Sequence, residues 1–247
     1  MPNAWDLGSL HILASLGFSA LATTSSGFAA TLGRMDQQVT LDDLESHVVS
    51  LIAESPVPLS VDAEDGYADS PVGVAMTVER LAATGAAGVS IEDYSAESGI
   101  YPLSEAADRV AAAADVTKRH GVVLTGRAEN LLYGAGDLDD TIERLLAYQK
   151  AGADVVYAPG PTDLRQIRAI VDEVTAPVNV LLRRGGPSVP QLAEIGVRRI
   201  STGGALAFAA YGALDRAARE LIDTGTTSYI DGTLAEEHRL RAFQRQT

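Results

Sequence analysis

The stretch Gly85-Ala86-Ala87-Gly88-Val89-Ser90-Ile91-Glu92-Asp93 packs a breaker, a short apolar strand and an acidic end into one run. A glycine at position 85 suits the left-handed residue that closes a helix, and the apolar run after it suits a buried parallel strand. The same junction recurs on both sides of it. Gly17 precedes FSALATT, and Pro56 and Pro58 precede LSVDAE. Gly121 precedes VVLTGR, Gly152 precedes ADVVYAP, Pro177 precedes VNVLL, and Gly196 precedes VRRIS. The prolines act differently from the glycines: they push the residue before them out of the helical region. Between the junctions lie amphipathic segments of helical length at 41–54, 72–83, 104–119, 139–150, 162–174 and 188–194.

Seven junctions give strands two to eight, and residues 2–4 give a stub of strand one. Alternating strands and helices imply a parallel sheet, and eight units in 247 residues imply a (β/α)8 TIM barrel. A doubly wound open sheet is the alternative, weakened because no GxGxxG follows an early strand. The short first unit leaves little room for a full strand or a preceding helix, which points to a native start upstream. No linker interrupts the pattern, so residues 1–247 read as one domain. The polar tail, about 224–247, ends in Glu236-Glu237-His238-Arg239-Leu240-Arg241. It reads as a charged helix, either a solvated face or an arm laid on a neighbouring subunit.

Composition narrows the function. The chain is 46% hydrophobic and 21% charged, as expected of a soluble globular enzyme. Its 33 acidic and 19 basic residues leave a formal charge of -14 and no basic cluster. Nucleic acid and anionic membrane are therefore poor partners. No apolar run is long enough for a transmembrane helix, and Met1-Pro2-Asn3-Ala4-Trp5-Asp6 lacks the pattern of a secretory signal. A cytoplasmic location is the default. With no cysteine, disulfides, thiolate metal sites and a thiol nucleophile are excluded.

A barrel places its active site at the C-terminal ends of the strands. The third strand runs into Ser60-Val61-Asp62-Ala63-Glu64-Asp65-Gly66-Tyr67. Alternation there puts Ser60, Asp62 and Glu64 on one face, as it puts Ser90 and Glu92 on one face of the fourth strand. Converging carboxylates repel unless a cation sits among them, and a hard ion with oxygen ligands, Mg²⁺ or Mn²⁺, fits. Taken singly, each also reads as a solvated loop residue. After the second strand, Thr23-Thr24-Ser25-Ser26-Gly27-Phe28 forms a small polar turn whose N–H groups could hold an oxyanion. Arg127 shares the parity of Val123 and Thr125 and so points into the barrel mouth. There it suits an anionic substrate, or a structural pair with Glu92 or Glu129. The four histidines, His11, His47, His120 and His238, fall on helices or on the far side, which argues against a serine triad. Metal, carboxylates, Arg127 and the tyrosines Tyr67, Tyr94 and Tyr101 remain. That set suits a metal-held 2-oxo or 2-hydroxy acid. Gly185-Gly186-Pro187-Ser188 and Ser201-Thr202-Gly203-Gly204 follow strands seven and eight, where such barrels often hold phosphate. They keep a phosphate-ligand barrel open as a second reading.

The order SSGF, SVDAEDGY, GVSIED and TGRAEN, continued by AGADVVYAPGPTD and GVRRISTGGAL, resembles the isocitrate lyase/phosphoenolpyruvate mutase superfamily. The likeness runs over nearly the whole chain and is nearest to short bacterial members. It implies a (β/α)8 barrel, a homodimer or homotetramer with the C-terminal eighth helix exchanged between subunits, and a small carboxylate substrate. It also implies Mg²⁺ bound directly by Asp62, with Glu64 and Glu92 reaching it through water; many relatives have Asp where Glu64 stands. The backbone of Ser26, Gly27 and Phe28 matches the turn that holds the substrate's carboxylate or enolate oxygen. Thr24 stands where some relatives carry Trp. Asp36 matches a carboxylate near the reacting group, and Arg127 matches the substrate-binding arginine.

The sharpest departure follows the fourth strand. Relatives carry a gating loop there with a catalytic Cys (lyases) or with Lys and Asn (mutases). Here it is only Tyr94-Ser95-Ala96-Glu97-Ser98-Gly99-Ile100-Tyr101. Thiol-acid cleavage of isocitrate or methylisocitrate is excluded, and Glu97 and Tyr101 become the candidates for proton transfer. The mutase-type His after strand six is replaced by Pro159. The leading expectation is a Mg²⁺-dependent lyase that cleaves a C–C bond of a 2-hydroxy or 2-oxo carboxylate through a metal-stabilised enolate. A phosphonopyruvate-type C–P hydrolase or mutase, an oxaloacetate decarboxylase and a non-catalytic binding protein are the alternatives.

Overall fold

The computed structural model describes residues 1–244, so residues 245–247 of the predicted tail lie outside the described residues. Eight parallel strands follow one another round a nearly closed barrel: β1 (Asn3–Ala4), β2 (Leu21–Thr23), β3 (Leu59–Asp62), β4 (Gly88–Glu92), β5 (Val123–Arg127), β6 (Val155–Tyr157), β7 (Val178–Leu181) and β8 (Arg199–Ser201). All seven predicted junctions and the first stub are present. The seam between β8 and β1 is held by other bonds. The Met1 nitrogen donates to Ile200 O at 2.8 Å. Asn3 Oδ1 accepts from the Thr202 and Gly203 N–H groups at 2.9 and 3.0 Å.

The helices α1 (Leu7–Ser15), α2 (Ser25–Thr31), α3 (Leu41–Glu54), α4 (Pro71–Ala83), α5 (Leu103–His120), α6 (Leu138–Ala151), α7 (Leu164–Glu173), α8 (Val189–Glu194) and α9 (Ala205–Asp223) lie between and after the strands. Their starts are capped as the sequence dictates: Thr40 and Asp43 form a capping box on α3, and Asp137 accepts from Asp140 N on α6. Their ends use the glycines read as breakers. Gly121 closes α5 at φ 67° and Gly152 closes α6 at φ 112°, a region costly to any residue with a Cβ.

The main core fills the layer between strands and helices. Val61, Val89, Ile91, Leu124, Val156 and Val180 face outward onto Val78, Leu81, Val110, Leu145 and Ile167, all buried. Inside the barrel the residues are different in kind: Ser60, Ser90, Asn179, Arg199 and Ser201 line a cavity. In-register pairing sets Asp62 beside Ser90, Glu92 beside Arg127, and Arg127 beside Tyr157.

The C-terminal part departs from this packing. Along α9 only Ala207 is buried, while Phe208, Leu214 and Ile222 are 53%, 65% and 83% exposed. A 3-10 turn (Ser228–Gly232) leads to α10 (Glu236–Phe243), the charged helix expected of the tail. Its end meets Leu7, His11 and Ala14 of α1 across a groove. Among the described residues no helix is long and apolar enough to cross a membrane.

Candidate active site

A cavity of about 170 Å³ opens at the C-terminal ends of the strands. That is well under the ~300–1,000 Å³ of drug-sized sites and suits a small acid. Asp36 and Leu132 stand toward its mouth, Asp62 and Arg127 in its wall, and Arg199 and Asn3 in its lumen. Arg127 organises the wall. Its Nη1 donates to Asp62 Oδ1 at 2.6 Å, its Nη2 meets Glu92 Oε2 at 2.8 Å, and its Nε donates to Glu129 Oε1 at 2.9 Å. The Tyr157 ring lies 5.2 Å from its guanidinium carbon. The inward parity of Arg127 thus holds, and both partners weighed from sequence, Glu92 and Glu129, bind it together with Asp62.

Strand alternation brings Asp62 to the cavity but not Glu64, because β3 ends at Asp62. Glu64 and Tyr67 follow at φ 46° and 54°, left-handed values that are strained for side-chain-bearing residues. The turn buries Glu64 to 5% exposure and leaves its Oε1 without a partner. Burial, then the charges of Asp62 and Asp36, push the Glu64 carboxyl up to about 8. Burial also raises Glu92 well above its ordinary value, against the pull of Arg127; Asp36, an exposed residue, is raised by partial desolvation at the cavity and by Asp62. Gln37, itself at φ 60°, donates from Nε2 to Glu92 Oε1 at 3.1 Å.

The polar turn after β2 is the start of α2. Thr24 caps it, and the amides are partly committed. Phe28 N–H donates to Thr24 O at 3.0 Å, Gly27 N–H to Thr24 Oγ1 at 3.4 Å, and Ser25 N–H to Asp62 Oδ2 at 3.1 Å. Of the predicted oxyanion cradle, only Ser26 keeps an N–H without a partner among the described residues. Thr24 and Ser26 line the cavity, whereas Phe28 stacks on His47 behind it.

The segment after β4 forms a two-residue ribbon, Tyr94–Ser95 against Gly99–Ile100. Glu97 sits exposed in its turn. Tyr101 points the other way: its OH donates to Asp65 Oδ2 at 2.7 Å, and its ring lies 4.3 Å from the Arg109 guanidinium carbon. Arg109, 1% exposed, also donates to Asp65 O and Ala68 O. Neither Glu97 nor Tyr101 lines the cavity, so the structure does not bring these two predicted proton-transfer residues to the carboxylates. Asp93, beside Glu92, is structural. It accepts from Glu129 N at 2.7 Å, from Arg144 Nη1 at 3.0 Å and from the Tyr148 hydroxyl. That network anchors the end of β5.

Sequence reasoning missed Gln37, Tyr157 and Arg199. The last two share strand parity with residues already placed: Tyr157 pairs in register with Arg127, and Arg199 lies two residues from the inward Ser201.

Among the described residues no three carboxylates or imidazoles converge as a ready-made metal cage; Arg127 stands between Asp62 and Glu92 instead. Mg²⁺ does not need such a cage, since it keeps several waters and takes one or two carboxylates. The donor set fits that mode. Asp62 faces the cavity, and the unpartnered Glu64 Oε1 could accept a hydrogen bond from a water O–H.

Comparison with known proteins gives concordant matches. Residues 1–222 match the phosphoenolpyruvate phosphomutase family. An uncharacterised protein of Mycobacterium tuberculosis is 35% identical over 225 residues, 90% of this chain and 84% of that protein. Oxaloacetate decarboxylase of Rhodopseudomonas palustris is 33% identical over 185 residues, 71% of this chain and 63% of the enzyme. The crystal structure of a candidate lyase/mutase of Burkholderia cenocepacia superposes with a TM-score of 0.94 at 43% identity, covering 100% of this chain and 90% of that one.

Proposed function

The chain belongs to the phosphoenolpyruvate phosphomutase family, and from that premise we propose a Mg²⁺-dependent lyase that breaks a C–C bond of a small 2-oxo or 2-hydroxy carboxylate. The observation that carries this reading is the buried Glu64 oxygen without a partner, beside Asp62 and among carboxylates that burial has pushed up. A cation there would relieve their mutual repulsion. Asp62 would hold Mg²⁺ directly, and Glu64 and Glu92 would accept from its waters. When bound, the ion supplies Lewis acidity to the substrate's carboxylate and 2-oxygen.

The chain's own groups do the rest. Arg127, held by three carboxylates, is pre-oriented and keeps N–H groups on Nη1 and Nη2 for substrate oxygen. The free Ser26 N–H adds a donor at the opposite wall. Negative charge left on the substrate as the bond breaks is neutralised between them. Asp36, exposed at the mouth with its carboxyl raised by partial desolvation and by Asp62, is the group there suited to protonating the carbanion carbon. This removes the need for the thiol acid that the chain lacks. Loss of CO₂ from a 2-oxo diacid is a C–C cleavage of the same kind, and the relatives include oxaloacetate decarboxylases. C–P chemistry is the weaker reading.

We also place this protein in a homo-oligomer. The apolar residues exposed along α9 are what a helix exchanged between subunits would bury, and Leu214→Glu should shift the sedimenting species toward monomer.

The test of function is thermal stability with Mg²⁺, with and without oxalate, a planar mimic of an enolate. A rise that needs both ligands, and that Asp62→Asn abolishes, supports the reading. An unchanged midpoint with either or both overturns it.

A further inference from the structure

Two arginines reach the same cavity in opposite electrostatic states. Arg127 is neutralised by three carboxylates. Arg199, at the start of β8, crosses the lumen one layer deeper and hydrogen-bonds only to neutral groups, with the like charges of the Met1 amine and Arg127 in its surroundings. Its Nη2 donates to Thr125 Oγ1 at 2.7 Å and its Nε to Asn179 Oδ1 at 3.1 Å. Asn179 is itself fixed, since its Nδ2 donates to Ser201 Oγ at 3.0 Å, and Thr125, Asn179 and Ser201 are all buried. Among the described residues no carboxylate lies within ion-pair distance of Arg199, and its Nη1 has no protein partner. The guanidinium therefore stands in a cavity wall with a uniquely set orientation, unspent donors and an uncompensated charge. A half-buried cation left in this state is destabilising unless an anion completes it.

We propose that Arg199, framed by Asn179 and Thr125, is a second carboxylate-binding site within the cavity, which selects substrates carrying an acid group at each end. This rests on the reading of the Asp62 wall as the place of the first carboxylate. The spacing agrees. Thr125 and Arg127 are two residues apart on β5, so the two arginine layers are separated by ~6.6 Å along the strand. A four-carbon diacid sets its carboxyl carbons ~4 Å apart with ~1.5 Å bonds, short enough to lie between the two layers, and hydrogen bonds of ~2.9 Å directed across the lumen, not along the strand, let one carboxylate face each arginine. One cavity reaches both layers, and Ser60, Ser90, Asn179 and Ser201 are among its side walls. None of these is large enough to block a short chain.

Calorimetric titration of the full chain in Mg²⁺ with racemic malate and with racemic lactate tests the site, since the two acids differ by one carboxylate. The wild type should bind malate about ten- to hundredfold more tightly, the span of a hydrogen bond between charged groups. Arg199→Met should bring the ratio within about twofold while leaving lactate affinity unchanged, and Arg199→Lys should retain part of the preference. Equal wild-type affinities overturn the second site but leave the Asp62 reading standing. A loss of both acids together in Arg199→Met marks Arg199 as a structural bridge and overturns it too. Failure of the wild type to bind either acid overturns the reading of the Asp62 wall, and the second site with it. Should Arg199→Met not fold, the wild-type ratio and the lysine variant still decide.

Discussion

His47 should make the fold acid-sensitive by an amount that can be worked out. Its ring lies flat on Phe28, with centroids 3.8 Å apart and planes 10° from parallel. Its Nε2 is buried without a partner. Burial lowers its pKa from 6.5 to about 4, with Asp6 pulling weakly the other way. The folded chain therefore takes up this proton only below pH ~4, while the unfolded chain takes it up at ~6.5. Stability from the neutral ring is complete above the unfolded value and is lost as pH falls toward the folded one. Between about pH 7.5 and about pH 5 the loss comes to ~2 kcal/mol.

Glu64, Glu92 and Asp36 run in the opposite sense. Their folded values are raised, so they cost stability as pH climbs through those values and favour the fold at low pH. The total pH profile thus mixes both signs, and the comparison must be differential. Urea unfolding of the wild type and of His47→Leu at the two pH values isolates the histidine. The wild type should lose ~2 kcal/mol more than the variant on acidification. A difference under ~0.5 kcal/mol would refute the argument, because it would mean that His47 is solvated or charged in the native state.

Three further outcomes follow from the same geometry. Tyr101→Phe removes the bond to Asp65 and should cost about 2 kcal/mol in urea unfolding; the combined Mg²⁺ and oxalate stabilisation should stay at its wild-type size, and its disappearance would return Tyr101 to the active site. Gly27→Ala would set a methyl 2.6 Å from Thr24 Cγ2 and 3.0 Å from Trp5 Cβ; overpacking of that kind costs ~1–3 kcal/mol and should lower the melting temperature. Asp93→Asn removes the more buried of the two carboxylates that pair with Arg144, Asp140 remaining, and should destabilise by about 2 kcal/mol; a change within ~0.5 kcal/mol would show the network to be slack.

The barrel was legible because its signals are local. Each strand follows a glycine that must adopt positive φ, as Gly85 and Gly196 do at 93°, or a proline that cannot extend a helix. The period of the helices did the rest, so that α3 falls where the pattern put it, at Leu41–Glu54. Arg127 was legible for the same reason, since parity on a regular strand fixes direction. Parity fails once the strand ends. Glu64 reaches its place through a left-handed turn, and Tyr101 is claimed by Arg109, which lies on a helix and is invisible to any local pattern. Arg199 carried a usable signal: in Gly196-Val197-Arg198-Arg199-Ile200-Ser201 only one of two adjacent arginines can share the face of Ser201.

The polar lumen explains why so much charge can be gathered at one end of this barrel. In many (β/α)8 barrels branched apolar residues fill the interior and contribute to the core. Here that role passes to the outer layer, where Val61, Val89, Leu124 and Val156 lie almost fully buried beneath the helices. At ~1.5–3 kcal/mol for each fully buried aliphatic side chain, that layer can hold the strands in place without an apolar lumen. The interior is then free to be lined with serine, threonine and asparagine. These side chains are short enough to leave a cavity and polar enough to frame Arg199 and to neighbour Asp62. Replacing Ser60 or Ser90 with valine would therefore add little to the core, because the outer layer is already filled. It would close the passage between the two arginine layers, and binding would be lost before stability.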